Sequence, residues 1–290
     1  MHGFGVGSAI DVMGRPLAAK LTDVLGQQVI VDARPGATGG IANEFVAKSV
    51  GDGYTLLTAP GRSLTASPHL QAVRFDPLRD FAPIVQTTAF SYVLVAHPAV
   101  PVKTAADLVA LAKARPGQLS FGSGGGTGSS DHMAGELFNM LAGVQIVHVP
   151  YKSGPQAQND LVGGQLSIYL GGIPIQLPMI KSGRVKPLGT SGLKRSPMLP
   201  EVPTIHEAGV PGYEVDVWYG LFAPRGTPPA VVARIAADVK RIVSAPAMAE
   251  RWQTLGVEPA GTAPAEFRAK FTAELEKWRK VVRAAHIELE

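Results

Sequence analysis

The chain has 290 residues, 46% apolar and 17% charged, about twice a typical domain length and apolar enough for a sizeable core. Net charge is +4 with no Lys/Arg run longer than two, which leans towards anionic ligands and away from nucleic acid. The absence of cysteine excludes disulfides, thiolate metal sites and cysteine nucleophiles, and it fits an oxidising compartment. No segment approaches the roughly 20 apolar residues of a membrane span. Met1 to Ile10 lacks the basic and apolar regions of an export signal.

Asp11 before Val12, Met13, Leu17, Leu21 and Leu25, closed by Gly26, predicts an amphipathic helix with Asp11 as its N-cap. Gln28 to Asp32 reads as a strand, Ala33 to Gly40 as a loop and Ile41 to Ser49 as a short helix. Asp52-Gly53 is a turn into a strand from Tyr54 to Thr58. This alternation predicts a parallel α/β sheet. After the β-rich run Phe90 to Ala96 the pattern restarts, with Thr104 and Asp107 forming a capping box for a helix through Ala114. Strands are expected at 119–122, 144–149, 166–170, 183–190 and 214–223, and helices at 131–141 and 156–162. Three final helices open on Pro228, Pro246 and Pro264. Two α/β halves joined by two long extended segments suggest one lobe of residues 1–98 and 220–290 and another of 99–219, with a ligand cleft between them.

Two glycine-rich loops carry the candidate chemistry. The first, Gly3 to Asp11, opens directly onto a helix, where free N–H groups and the helix dipole attract an anion. It is neither a dinucleotide fingerprint nor a P-loop, and a plain flexible terminus reads equally well. The second, Gly122 to Ser130, holds only Gly, Ser and Thr, and suits a carboxylate held by amides and hydroxyls. Asp131-His132 beside it invites a serine-hydrolase reading with Ser129 or Ser130. Neighbouring helix residues do not face each other, however, and no nucleophile elbow is present. His148 is expected to be packed in a strand, and the seven histidines show no metal-ligand spacing, so no metal is expected.

The chain closely resembles the Bug (TctC-like) family of periplasmic solute-binding proteins of tripartite tricarboxylate transporters. The resemblance is carried by Leu25-Gly26-Gln27-Gln28-Val29, Asp32-Ala33-Arg34-Pro35-Gly36-Ala37, Asp52-Gly53-Tyr54-Thr55-Leu56-Leu57 and Ala134-Gly135-Glu136-Leu137-Phe138. It continues through Val147-His148-Val149-Pro150-Tyr151-Lys152, Pro203-Thr204-Ile205-His206-Glu207-Ala208-Gly209, Pro211-Gly212-Tyr213-Glu214 and Ala223-Pro224-Arg225-Gly226-Thr227-Pro228. It implies a two-lobed type II periplasmic binding protein fold with a hinge of two crossing segments, closing on a small carboxylate. It also implies export to the periplasm, no cofactor, and delivery of the solute to TctA/TctB-type membrane subunits. A monomer is expected. The family's signal peptide and first strand would precede Gly3, so a trimmed start is expected.

The candidate ligand residues are Phe4, Gly7, Ser8, Ala9, Ile10 and Asp11 from the first loop, and Ser123, Gly124, Thr127, Gly128, Ser129 and His132 from the second. Ser63, Tyr151, Gly171 and Gly172 complete the set. The family's acidic-Asn pair after the 166–170 strand is here Gly171-Gly172. An ammonium there would lack a counter-charge, and the lost side-chain volume would leave room for a flatter body walled by Phe4 and Tyr151. The expectation is therefore an amine-free carboxylate, an aromatic mono- or dicarboxylate among them. A hydrolase using Ser129 or Ser130 with His132, and a ligand-presenting sensory module, are the alternatives.

Overall fold

The computed structural model describes residues 1–288. In chain order the elements are α1 (Ala9–Leu25), α2 (Gly40–Ala47), β1 (Leu57–Pro60), α3 (Gly61–Thr65), α4 (Ser67–Leu70), β2 (Phe81–Ala96), α5 (Ala105–Ala114) and β3 (Ser120–Ser123). There follow α6 (Ser130–Ala142), β4 (Val147–Pro150), α7 (Gly154–Val162), β5 (Ile168–Gly172), α8 (Ile173–Lys181) and β6 (Lys186–Thr190). The last are β7 (Asp216–Pro224), α9 (Pro229–Val243), α10 (Pro246–Thr254), β8 (Glu258–Pro259) and α11 (Pro264–Ala284). The chain divides into two units, one of Met1–Ala89 with Trp218–Arg279, the other of Phe90–Val217 with the chain from Lys280. The divisions fall inside β2, β7 and α11, at Ala89/Phe90, Val217/Trp218 and Arg279/Lys280, where the sequence suggested 98 and 220.

In the first unit α1 buries Ile10, Met13, Leu17, Ala18 and Leu21, the apolar stripe its sequence spacing specifies. Gly26 closes it in the left-handed region at φ 64°, its N–H returning to the Thr22 carbonyl. The helix starts two residues before the expected cap: Ser8 is the N-cap, and Asp11 sits in the first turn with its carboxylate turned back onto the loop. Sheet pairing is antiparallel, not parallel, with Leu57 opposite Phe222 in β1–β7 and Thr88 opposite Pro259 in β2–β8. A strand at 28–32 does not form. Only Ala33 bridges His2, while Met1 brackets the segment before β1 through bonds to Leu56 and Thr58. The expected 54–58 strand is displaced to Leu57–Pro60. The core is aromatic: Trp218 and Phe222 from β7 meet Phe267 and Phe271 from α11, with Trp218 and Phe267 edge to face at 5.2 Å.

The second unit has a mixed sheet. β4, β3 and β5 run parallel, whereas β2 pairs antiparallel with β5 on one side and β6 on the other. The antiparallel element is the long connecting segment itself, which extends from Phe81 and not from Phe90. Val93, Val95, Tyr169 and Leu166 from the sheet pack with Ala157 and Leu161 of α7 and Ile173 of α8. The α5 capping box forms as its sequence requires, with Thr104 Oγ1 accepting from the Asp107 N–H at 3.1 Å and Asp107 Oδ2 from the Thr104 N–H at 3.0 Å. Because β3 and β5 are parallel neighbours, their carboxyl ends reach the same edge of the sheet, where open α/β sheets place ligands.

Candidate functional site

In the first unit the loop before α1 approaches the backbone at Gly39 so closely that a Cβ on Gly3 would stand 2.3 Å from Gly39 Cα. Gly39 in turn has the Phe4 ring and Ser63 beside it, so the fold gathers Phe4 and Ser63 around one glycine. Ser63 Oγ donates to the Pro60 carbonyl at 2.9 Å. Asp11 is saturated: its carboxylate accepts from the Gly7 N–H at 2.9 Å, from Arg15 Nε at 2.9 Å, and meets His2 Nε2 at 3.0 Å. The Arg15 guanidinium first, then the Gly7 N–H, hold it well below the usual carboxylate range. Asp11 and the Gly7 N–H are therefore structural members of the loop, not free ligand contacts. Ile10 points into the core, leaving only its backbone for a solute. What α1 presents is its first-turn N–H groups with the Ser8 hydroxyl, a buried oxygen that has no partner among the described residues.

In the second unit the loop after β3 is held from inside. Asp131 Oδ2 accepts the Gly124 N–H and its Oδ1 the Ser129 hydroxyl, both at 2.5 Å, while burial first, and then the charge of this carboxylate, raise the pKa of the Tyr169 hydroxyl. His132 Nδ1 accepts the Gly128 N–H at 2.9 Å, which puts the imidazole proton on Nε2, 3.6 Å from Glu136 Oε1. Ser123 is fully buried, its Oγ 2.7 Å from His148 Nε2 and 3.1 Å from the Gly126 carbonyl. The His132 and His148 rings stack at 3.7 Å, with Phe121 5.1 Å from His148. Burial, and then the neighbouring imidazole, push His148 down to about 3. Gly126 and Gly128 adopt φ of 73° and 76°, conformations a side chain would strain. Among the described residues, none accepts from the N–H groups of Gly125, Gly126 or Thr127. Thr127 is exposed.

Three expectations change here. The N–H groups of Gly124 and Gly128 are engaged within the chain, so the outer loop, 125–127, carries the available donors. Tyr151 is tethered rather than free: its hydroxyl donates to Asp160 at 2.8 Å, and its half-buried ring packs beside Gly122 against the core cluster. Gly171 leaves no room either, because a Cβ there would meet Gln176 Nε2 at 2.4 Å, and Gly172 is the N-cap of α8 rather than a loose turn. Sequence reasoning missed Asp131 as the latch and Gln176 as the filler. The Asp two residues after Ser129, in the first turn of a helix, was the available signal for the former. Ser129 Oγ donates to Asp131 and accepts from the backbone N–H of His132, not from its imidazole, whose Nδ1 is taken by the Gly128 N–H, so no Ser–His relay exists at that pair.

Two α/β units that share β2, β7 and α11, each with a glycine-rich loop opening onto a helix N-terminus, have the architecture of a solute-binding protein, with backbone donors that suit an anion. The sequence matches the family described as tripartite tricarboxylate transporter family receptor over residues 13–287. The chain belongs to this TctC family of solute-binding proteins, which are not enzymes. It is 38% identical to the "UPF0065 protein in tcbD-tcbE intergenic region" of Pseudomonas sp. strain P51 over 280 residues, 96% of this chain and 83% of that protein. Among solved structures it is similar to R. palustris Rpa4515 with adipate, at 33% identity and TM-score 0.76, covering 99% of this chain and 97% of that one. It is likewise similar to MatC of Rhodopseudomonas palustris with bound malate, at 30% identity and TM-score 0.73, covering 97% of each chain. No helix among the described residues is long and apolar enough to cross a membrane.

Proposed function

We propose that the protein is a periplasmic receptor that captures a small, amine-free carboxylate as its two units close, and delivers it to a TctA/TctB-type membrane transporter. The observation that carries the reading is the latched loop after β3. Asp131 and His132 fix it from the inside, while the Gly125–Thr127 N–H groups are left without partners among the described residues. Donors held in place before the anion arrives cost little reorganisation on binding. The solved relatives named with adipate and malate support a carboxylate, and both compounds lack an amine. Asp131, the acid closest to the loop, is fully engaged, so an ammonium would meet no free counter-charge there. Aromatic mono- and dicarboxylates belong to the same amine-free class.

A thermal-shift panel tests the proposal. Solute at about 100 times its dissociation constant should stabilise the folded protein by about 2.7 kcal/mol. Adipate, malate, benzoate and terephthalate should raise the melting temperature more than aspartate or glutamate at equal concentration. A larger shift with either amino acid would overturn the amine-free reading, and no shift with any carboxylate would overturn the receptor reading.

A further inference from the structure

α8 begins at the carboxyl end of β5, beside the loop that leaves β3, and Gln176 lies in its first turns. The side chain is fully buried. Among the described residues, neither its Nε2 nor its Oε1 has a hydrogen-bond partner. The amide reaches back over β5 into the space a side chain on Gly171 would fill, with Nε2 2.4 Å and the Tyr169 ring edge 2.8 Å from the Cβ position. The Tyr169 hydroxyl lies 3.4 Å from the Cβ position of Gly154, and the Gly154 backbone packs directly against Gly124, so Gln176 is joined by packing to the loop that offers the carboxylate donors. A buried primary amide with a donor and an acceptor both unmatched is costly, because it has given up its water without replacement. Nothing in the packing requires it: an apolar side chain of the same length would fill the space beside Gly171 without that cost.

We propose that Gln176 is a specificity residue, hydrogen-bonding a neutral group of the bound carboxylate that both donates and accepts, a hydroxyl or a carboxamide. The inference rests on the receptor reading above. The chemistry follows from the two orphaned atoms. A second carboxylate would satisfy Nε2 and repel Oε1, while an ammonium would do the reverse. A hydroxyl or carboxamide satisfies both. Because the amide is closed off from bulk water, a solute lacking such a group leaves it unmatched, and sites of this kind discriminate strongly.

The experiment compares solute pairs that differ by that one group, malate against succinate and succinamate against butyrate, by calorimetry with the wild type and with Gln176→Met. Wild type should prefer the hydroxylated or amidated member by about tenfold or more. Gln176→Met should bind the unsubstituted member as before and lose the preference, while the unliganded protein melts at the same temperature or higher. A preference that survives in Gln176→Met overturns the proposal. So does a wild type that binds both members of each pair equally, a result independent of how the variant folds. In either case, measurable binding of the unsubstituted carboxylates leaves the receptor reading standing, whereas failure of every carboxylate removes both.

Discussion

Replacing His148 with phenylalanine should flatten the acid side of the protein's stability profile. In the native state this imidazole is held to about 3, against an ordinary value of 6.5, by burial and by the stacked ring of His132. The unfolded chain therefore takes up a proton as pH falls through 6.5, and the folded chain resists until about 3. Below 6.5 the unfolded state binds more protons, so the stability present above 6.5 is lost progressively as pH falls towards 3. Between pH 7 and 4 an undiluted effect would be about 3.4 kcal/mol, at about 1.4 kcal/mol per pH unit. Partial solvent exposure of the ring reduces this to about 2 kcal/mol. For 290 residues the unfolding entropy is about 0.6 kcal/mol/K, so the corresponding change in melting temperature is about 3 °C. Phenylalanine keeps a ring between Phe121 and His132 but cannot titrate, and Ser123 keeps its bond to the Gly126 carbonyl. Melting curves from pH 7 to 4 on both proteins measure the difference, in which carboxylate titrations common to the two cancel. Parallel curves would refute the assignment of a neutral, stacked His148.

Asp131→Ala removes the acceptor that latches Gly124, and calorimetry should show carboxylate affinity falling by about tenfold or more. Unchanged affinity would mean that the loop holds its shape without the latch. Gly135→Ala drives a methyl to 2.2 Å from the Phe121 ring, which should cost about 1–3 kcal/mol in chemical denaturation. Thr104→Ala removes the α5 cap and should cost about 1 kcal/mol by the same assay, with no effect on binding. Glu274→Leu leaves the buried Trp218 indole N–H without its 2.7 Å acceptor, and about 1–3 kcal/mol of stability should go with it. Tryptophan fluorescence reports that unfolding directly.

Helices were legible wherever local chemistry alone decides them. The Thr104–Asp107 box, the Gly26 stop and the proline-led final helices all stand where their residues put them. Strand direction was not legible, because it is set by a chain crossing between units rather than by any local pattern. Phe81–Ala96 pairs antiparallel with β5, β6 and β8, so the expected parallel sheet is parallel only among β3, β4 and β5. The 28–32 run has the composition of a strand, but the single bridge to His2 falls at Ala33, just beyond it, and composition cannot supply a missing neighbour. The short helices α3, α4 and α8 carry apolar and proline residues that read as loop, and tertiary packing of Leu64, Leu70 and Ile173 decides them.

The site was legible in its backbone and not in its side chains. A run of glycine, serine and threonine before a helix announces where amides can face an anion. It does not say which of them the chain uses for itself, and Asp131 and His132 take the two amides, of Gly124 and Gly128, that the bare motif would have offered. Gly171 shows the same limit from the other direction. A missing side chain in sequence is only a statement about one residue's own volume, and close-packed interiors fill such a volume from elsewhere. Here α8 fills it with an amide, so the two glycines that suggest an empty, apolar space create a polar one. The selectivity of this receptor is then set by a residue four positions beyond the glycines, one that only the folded helix brings back to them.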